Sequence, residues 1–393
     1  MDGFGKEFAE ILACLPCGPD YAWDWEKLQR SSLSPLFVQM AATQQHIAWH
    51  GEGDVWTHTR MVCQTLAQLP DFRALAPRRQ QALALAALLH DLGKIRCTRE
   101  EDGVLVSPSH GAAGAQDARR LLWQEFGLSG TPKAQCFRET VCLLIRYHTS
   151  PLHLLDHDEP QLRARRIAAN GDLAPDFALR MLFLLAEADV RGRISDDRRE
   201  QLDRLQLGME LAKEAGCLDG AYAFASAHTR HAYLSGKNVW PQQELYDDTW
   251  GEVILMCGLP GTGKDTWIAM NHPELPVVCM DDLRRQMGVR PADNQGQVVQ
   301  AARELARVHL RAKQPFIWNA TGITDMMRDK HIRLFEEYHA SVRIVFLETA
   351  WQENLRRNAQ RRYAVPEAVI GRMLENLTLP EAEKARHVEW LCV

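Results

Sequence analysis

The chain has 393 residues, of which 46% are hydrophobic and 25% charged, and its formal net charge is −5. This composition excludes a disordered, collagen-like or membrane-embedded protein and indicates a soluble globular chain. Its length exceeds what one hydrophobic core usually supports, so we expect two domains. The acidic balance argues against a surface coated with basic residues, so any nucleic-acid site must be local.

The N-terminal segment lacks the apolar core of a signal peptide. Over residues 1–15 the apolar positions are interrupted by Lys6, Glu7 and Glu10. No later stretch of the sequence is long enough to span a bilayer. We therefore expect a cytoplasmic protein without membrane contact, whose ten cysteines are reduced thiols.

Helical periodicity dominates the sequence from about residue 35 to residue 234. Apolar residues recur at spacings of three and four, which predicts helices over 78–89, 137–147, 175–188 and 198–215. The first of these is rich in alanine and leucine, which are strong helix formers. The sequence therefore predicts an all-helical N-terminal domain over residues 1–240.

The first predicted helix ends in the sequence LLHDLGK, over residues 88–94. It places His90 and Asp91 where an apolar run would otherwise continue. Neighbouring side chains on a helix point about 100° apart, so both can reach one metal cluster only near a helix end. We expect Gly93 to provide that end. A metal site explains the pair better than a buried ion pair does.

Four further candidate ligands follow in a suggestive order, namely His58, His110, His148 and Asp189. Together with the His-Asp pair and the sequence HGEGDVWTHT over 50–59, this pattern resembles the HD superfamily. Residues 50–59 are similar to the HD domains of bacterial tRNA nucleotidyltransferases. The resemblance implies one metal held by His58, His90, Asp91 and Asp189, and a second metal held by Asp91 with His110 and His148.

Imidazole and carboxylate ligands suit several divalent metals, among them Mn²⁺, Fe²⁺, Co²⁺, Ni²⁺ and Zn²⁺. One or two such ions would supply hydrolysis with an activated water and a clamp for a phosphoryl oxygen. Lys94 and Arg193 are candidate phosphate contacts, with ordinary surface charge as the alternative. The other histidines of this region are interpreted as ordinary core or surface residues: His46, His50, His153 and His157.

The helical pattern breaks between residues 234 and 251, where turn residues follow one another without a sustained period. We place the domain boundary there and the second domain over 251–393. Four short apolar runs, over 252–257, 277–280, 315–318 and 342–347, alternate with helical stretches. This alternation predicts an α/β domain with a parallel sheet.

The first apolar run leads into GLPGTGKDT, over residues 258–266, and then into a predicted helix. This is a P-loop, in which backbone N–H groups face an anion and Lys264 contacts the β- and γ-phosphates. We expect it to bind ATP or another NTP with Mg²⁺. Either Asp265 or Thr266 meets the metal, because Asp265 occupies the usual Ser/Thr position. The candidate nucleotide-binding residues are Gly258, Gly261, Thr262, Gly263, Lys264, Asp265 and Thr266.

Two more elements follow: DDLR over 281–284 and RNAQRRYAVP over 357–366. With the P-loop they resemble the phage-type 5′-hydroxyl polynucleotide kinases. The resemblance implies that Asp281 accepts the proton of the attacking 5′-OH, Arg284 contacts the transferring phosphate and Arg361 is the catalytic arginine of a lid. Cations suit this chemistry, because phosphoryl transfer develops charge on oxygens. A helix N-cap is the alternative for Asp281, and Asp282 could share the two roles.

The order of the two domains resembles the bacterial end-healing enzymes that join an HD phosphatase to a polynucleotide kinase. It implies NTP-dependent phosphorylation of 5′-OH ends and metal-dependent removal of 2′,3′-cyclic or 2′/3′ phosphates in RNA repair. The expected partners are RNA or DNA ends and an RNA ligase that joins them. Two alternatives stay open: a nucleoside-type kinase fused to a nucleotide phosphohydrolase, and a non-catalytic nucleotide sensor with a degenerate HD site.

Overall fold

A computed structural model of the protein describes residues 5–290 and 293–393. The chain divides into two compact units. The first reaches Leu128 and resumes over Lys133–Tyr222, while the second comprises Ser129–Pro132 and Ala223–Val393. The second unit therefore begins before residue 251, where the loss of helical periodicity had placed it.

The earlier boundary reflects the side-chain contacts of one helix, Ala227–Leu234. Arg230 Nη1 donates to the carbonyl of Ala382 at 3.0 Å. His231 Nε2 lies 2.7 Å from a carboxylate oxygen of Glu336. Periodicity alone assigned this helix to the N-terminal region, because it reports helix formation and not the surface on which a helix packs.

The first unit is helical, as predicted, with one addition that the periodicity did not show. Strands β1 (Arg99–Glu101) and β2 (Val104–Val106) form a short antiparallel hairpin. The helices are α1 (Lys6–Ala13), α2 (Trp25–Arg30), α3 (Ser34–Ala42), α4 (Val55–Gln68), α5 (Pro70–Arg73), α6 (Pro77–Leu89), α7 (Lys94–Cys97), α8 (His110–Arg120), α9 (Pro132–Tyr147), α10 (Pro160–Ala168), α11 (Leu179–Arg191) and α12 (Arg198–Glu214).

Helix α6 lies at the centre of this unit. Every side chain over 82–89 is at most 1% exposed, and the helix packs on α4 and α11. A helix that is apolar on all sides is expected to be buried. Because its last turn is followed directly by His90 and Asp91, the buried end of this helix delivers both side chains into the interior.

Gly93 serves a purpose other than the one predicted from its place after the helix. Its φ is −65°, an ordinary right-handed value. A Cβ added at Gly93 would lie 2.1 Å from the carbonyl oxygen of His110 and 2.5 Å from the nitrogen of Gly114. The glycine therefore allows α8, which begins at His110, to approach the end of α6 closely.

Replacing Gly93 by alanine should destabilise the protein by about 1–3 kcal/mol, because the new methyl group meets backbone that cannot rotate away. Gly220→Ala is the matched control, since a Cβ there meets nothing within 4 Å. Urea unfolding of both variants measures the difference. Equal unfolding midpoints would contradict the close approach.

The second unit contains a parallel sheet, as the four apolar runs predicted, and the sheet has five strands. Its strands are β3 (Glu252–Cys257), β4 (Val277–Cys279), β5 (Phe316–Asn319), β6 (Ser341–Glu348) and β7 (His387–Cys392), in the spatial order β4-β5-β3-β6-β7. Strand β7 was not predicted, because the polar residues His387 and Glu389 interrupt its apolar pattern. The helices are α13 (Ala227–Leu234), α14 (Lys264–Asn271), α15 (Met280–Gln286), α16 (Gly296–Arg311), α17 (Asp325–Glu337), α18 (Trp351–Ala359) and α19 (Glu367–Glu375).

Strand β3 occupies the middle of the sheet, between β5 and β6. Its inner residues pack with those of the neighbouring strands and with Ile268 of α14 in one hydrophobic cluster. Ligands of open α/β sheets bind outside the carboxyl ends of the strands, where the strand order reverses. The segment after Cys257 lies at that position. Among the described residues, no helix combines the length and hydropathy needed to cross a membrane.

Candidate active sites

Asp91 is the centre of a cluster of histidines in the first unit. Its Oδ2 lies 3.3 Å from His90 Nε2 and 3.7 Å from His58 Nε2. Its Oδ1 lies 3.5 Å from His110 Nε2 and 3.8 Å from His148 Nε2. The carboxylate thus belongs to two trios, which are His58, His90 and Asp91, and Asp91, His110 and His148. The ligand atoms of each trio lie within 4.8 Å of one another. The sequence resemblance implied the same groupings for two metals, with Asp189 as a fourth ligand of the first.

The ligands come to one point from five helices. His58 lies on α4, His90 and Asp91 follow α6, His110 begins α8, His148 follows α9 and Asp189 lies near the end of α11. Asp189 Oδ1 is 3.1 Å from His58 Nε2. The structure therefore brings all six predicted metal ligands together, although they are spread over 132 positions of the chain (58 to 189).

Hydrogen bonds to the main chain orient three of the histidine rings. The Nδ1 atoms of His90, His110 and His148 each lie 2.8 Å from a carbonyl oxygen three residues earlier. We assign the proton to Nδ1, which donates to the carbonyl and leaves the Nε2 lone pair directed at the cluster. Metal-binding histidines are held in this way.

The cluster is buried, and several of its polar atoms lack hydrogen-bond partners, which fits a bound cation. His90 is 0% and Asp91 1% exposed. Among the described residues, neither Asp91 oxygen nor His90 Nε2 has a well-directed hydrogen bond. Burial lowers the pKa of His148 to about 3, so this imidazole is neutral and available as a ligand. One or two divalent metals would provide partners for His90 Nε2 and for the Asp91 carboxylate, whose Oδ2 also pairs with Lys94.

Glu52 is a member of the site that the sequence did not identify. Its side chain is 1% exposed, and its Oε1 lies 2.8 Å from His58 Nδ1 and 2.9 Å from His50 Nδ1. Its Oε2 accepts the main-chain N–H of Ile194 at 2.9 Å. Burial alone would lower the pKa of His58, but Asp189 and Glu52 raise it to about 9. Glu52 therefore holds the outer nitrogen of a candidate ligand.

Two cations line the same cavity, which has a volume of about 270 Å³. Lys94 is buried, with Nζ 2.8 Å from Asp91 Oδ2 and 2.7 Å from Gln45 Oε1. Ordinary surface charge, the alternative for Lys94, does not fit this environment. The Nε of Arg193 is buried without a hydrogen-bond partner among the described residues. Both side chains are placed to contact an anion in the cavity.

Replacing Glu52 by glutamine should weaken metal binding about 10- to 100-fold, because the amide holds His58 less firmly than the carboxylate does. Calorimetric titration of the metal-free protein with Mn²⁺ measures the effect, and circular dichroism checks folding. Glu101→Gln is the control, since Glu101 lies exposed on the β-hairpin. An unchanged Mn²⁺ dissociation constant would show that Glu52 does not position His58.

The P-loop of the second unit lies between β3 and α14. Gly258, Gly261 and Gly263 have φ values of 136°, 88° and 90°, which are strained for any other residue. A Cβ on Gly258 would lie 2.4 Å from the carbonyl oxygen of Leu347 on β6. Thr262 is buried, and its hydroxyl donates within the loop. The backbone therefore curls at the start of α14, as a phosphate site requires.

Lys264 lies in this loop and donates to the carbonyl oxygens of Gly258 and Leu259 at 2.9 and 3.0 Å. Burial lowers its pKa to about 8. Asp265 and Asp281 oppose the shift, while Arg361 adds to it. Residues of all three kinase-like sequence elements thus lie close enough to interact electrostatically at the P-loop.

Asp281 does not cap a helix, which was the alternative for it. Helix α15 begins at Met280, and its N-cap position is Cys279. Asp281 lies in the first turn and forms an ion pair with Arg284, whose Nε also donates to Gln295 at 2.8 Å. The carboxylate and its arginine are therefore positioned together beyond the end of β4.

Asp265 has a partner that the sequence did not reveal. Its Oδ1 accepts a hydrogen bond of 2.6 Å from the amide of Asn319, the last residue of β5. Thr266, the other candidate for the magnesium, is exposed like Asp265, and no hydrogen bond of its side chain is described. Asn319 thus fixes the carboxylate that stands where P-loops usually carry Ser or Thr.

One side chain, Asn358, joins the two ends of the segment that carries Arg361. Asn358, at the end of α18, donates to the carbonyl of Val365 at 2.7 Å and accepts its N–H at 3.0 Å. Asn354 of the same helix donates to the carbonyl of Pro260 in the P-loop at 2.9 Å. Arg361 is exposed between these anchors. Residues 360–366, for which the resemblance implied a lid and which we call the lid segment, are therefore attached to the helix that contacts the P-loop.

Comparisons with known proteins match both units. Residues 55–170 match the HD domain family and residues 253–380 match an AAA domain family. The heterogeneous nuclear ribonucleoprotein U-like protein 2 of mouse is 29% identical over 148 residues, and the human protein is 28% identical over the same length. The match covers 33% of this chain and only 20% of either relative.

A solved gluconokinase from Sinorhizobium meliloti 1021 is similar over 36% of this chain and 83% of its own, with 21% identity and a TM-score of 0.28. A likeness of that size carries no conclusion about substrate. The family matches agree with the two architectures and with the two site geometries. The chain therefore contains an HD domain followed by a P-loop domain of the AAA type.

Proposed function

We propose that the protein heals broken nucleic-acid ends, with a 5′-hydroxyl kinase in the P-loop domain and a phosphatase in the HD domain. One observation carries the proposal: a single chain combines a P-loop flanked by Asp281, Arg284 and Arg361 with a buried His-Asp cluster. RNA cleavage commonly leaves a 5′-OH on one end and a 2′,3′-cyclic phosphate on the other. Two phosphate chemistries on one chain match these two defects.

In the kinase reaction, each residue has a distinct task. Lys264 neutralises charge on the β- and γ-phosphates of the NTP, and bound Mg²⁺ would supply further positive charge there. Asp281 orients the acceptor hydroxyl and takes its proton late in the transfer. Arg284 and Arg361 stabilise the charge that develops on the transferring phosphoryl group. Asp265, which Asn319 fixes, would hold the magnesium in this scheme.

In the hydrolase reaction, the phosphate lies in the cavity beside Asp91. Divalent metals held by the two trios would supply Lewis acidity and an activated water. Lys94 and Arg193 bind the phosphoryl oxygens, since both line this cavity. Asp91, His58, His90, His110, His148 and Asp189 would hold the metals, and Glu52 positions His58.

Local features support a nucleic-acid substrate despite the net charge of −5. Arginine side chains gather around the lid segment, where Arg285 of α15 and Arg362 lie 5.8 and 5.3 Å from the ring centroid of Tyr363. The names of the two mammalian relatives describe ribonucleoproteins. We place the enzyme in the cytoplasm and expect an RNA ligase to join the ends that it heals.

Acceptor preference tests the kinase assignment. The full chain with ATP and Mg²⁺ should phosphorylate a 5′-OH oligonucleotide at least about 100-fold more efficiently than nucleosides, because binding energy from the rest of the strand contributes to kcat/KM. Transfer of radiolabelled phosphate measures both reactions. A preference for nucleosides would favour the alternative, a small-molecule kinase fused to a nucleotide phosphohydrolase.

Two substitutions test whether the chemistries are separate. Lys264→Ala should lower kinase activity at least about 100-fold and leave phosphatase activity unchanged, because it removes a charge that acts on the transferring group. His90→Ala should do the reverse. Lys213→Ala and His157→Ala are matched controls, since both residues are exposed.

Circular dichroism of each variant shows whether the fold is retained, because a buried ligand also contributes to stability. Loss of both activities in a folded Lys264→Ala protein would contradict two separate sites. Retention of phosphatase activity in His90→Ala would remove the metal cluster from the proposed reaction.

A further inference from the structure

Most side chains that line the cavity of the HD domain are polar or titratable. Asp91, His110 and His148, which are candidate metal ligands, lie among them, and Lys94 and Arg193 add positive charge. Trp49, Leu105 and Leu152 are the apolar side chains of this lining. A phosphate would need only the charged and polar groups. The apolar residues indicate that the substrate carries an unsaturated or apolar group next to its phosphate.

Trp49 is the largest of these apolar side chains, and it lies at the mouth of the cavity. The residue lines the cavity and is nevertheless 54% exposed, so solvent reaches part of its indole. Leu152, in contrast, is 7% exposed. An exposed tryptophan beside a phosphate-binding cavity costs solvation free energy unless a ligand covers it.

The loop that carries Trp49 is fixed at both ends and near its tip. At the ends, the N–H of Val55 donates to the carbonyl of Thr43 at 3.0 Å, and Gln45 donates to Gly53 at 2.9 Å. Near the tip, the main-chain N–H of Trp49 donates to the carbonyl of His46 at 3.1 Å, and the N–H of Gly51 donates to the carbonyl of Ile194 at 2.9 Å. These bonds hold the main chain of the loop that carries Trp49, which lowers the entropic cost of binding a flat ligand.

We propose that Trp49 stacks on the terminal nucleobase of the strand whose end phosphate lies beside Asp91. This inference rests on the proposed phosphatase function and specifies its substrate as a nucleoside-bearing end. The cavity of about 270 Å³ holds a phosphate and ribose, while the base extends to the open mouth where Trp49 lies. Stacking is tolerant of sequence, because every base has a π face.

The test compares two oligoribonucleotides that end in a 2′,3′-cyclic phosphate, one with a normal terminal nucleotide and one whose terminal ribose is abasic. Trp49→Ala should lower kcat/KM about 5- to 150-fold on the normal end and leave it unchanged on the abasic end. Trp49→Phe should retain most of the activity, since phenylalanine also stacks. The full chain is used, loaded with Mn²⁺.

Ile47→Ala is the matched control, because Ile47 lies in the same loop and is 78% exposed. It should behave like wild type on both ends. An equal loss on normal and abasic ends in Trp49→Ala, or no loss on either, would overturn the stacking subsite while the phosphatase function stands. Failure of the wild-type protein to hydrolyse either RNA end would overturn the proposed function itself.

Discussion

The burial of one carboxylate governs the architecture of the HD domain. Asp91 is 1% exposed and follows residues 82–89, the uniformly apolar and buried part of α6. An isolated ionised carboxylate is very costly in such surroundings, so cations must compensate it. Burial raises the pKa of Asp91, but Lys94 and the surrounding histidines, with His90 foremost, hold it well below its usual range. Lys94 supplies one positive charge. The imidazoles direct their Nε2 atoms at the cluster, where divalent metals would supply further positive charge.

The helix packing follows from this requirement. Helices α4, α8, α9 and α11 each bring one ligand to Asp91, and the absence of a side chain at Gly93 lets α8 come close enough to do so. Outer contacts then hold the rings in place, through main-chain carbonyls for three histidines and through Glu52 for His58. In the P-loop domain, glycines with positive φ let the backbone curl around the candidate anion site, and the half-buried Lys264 supplies the charge.

Much of this could be predicted from the sequence, where the signal is local. The P-loop, the HD pair and the β3 strand are each contiguous, and the parallel sheet follows from the alternation of apolar runs with helices. Contacts between distant residues could not be predicted in the same way. Nothing in the sequence around Glu52 distinguishes it from a surface acid. Its role depends on contacts of its carboxylate with the N–H of Ile194 and with His58 Nδ1.

Asn319 is a second residue whose contact with a distant residue could not be predicted from the sequence. An asparagine at the end of a strand has no distinctive pattern, and its role appears only when β5 pairs beside β3 and brings it to Asp265. The close approach at Gly93 is likewise a property of two helices that meet, whereas the sequence suggested a helix terminator. The domain boundary differed because periodicity cannot tell which core a helix joins.

The most direct measurement is end analysis of one oligoribonucleotide that carries both a 5′-OH and a 2′,3′-cyclic phosphate. The purified full chain is incubated with ATP, Mg²⁺ and Mn²⁺, and mass spectrometry identifies both ends of the product. Two activities on separate sites predict a product with a 5′-phosphate and a phosphate-free 3′ end. An oligonucleotide recovered with both ends unchanged would contradict the end-healing function and favour a non-catalytic nucleotide sensor.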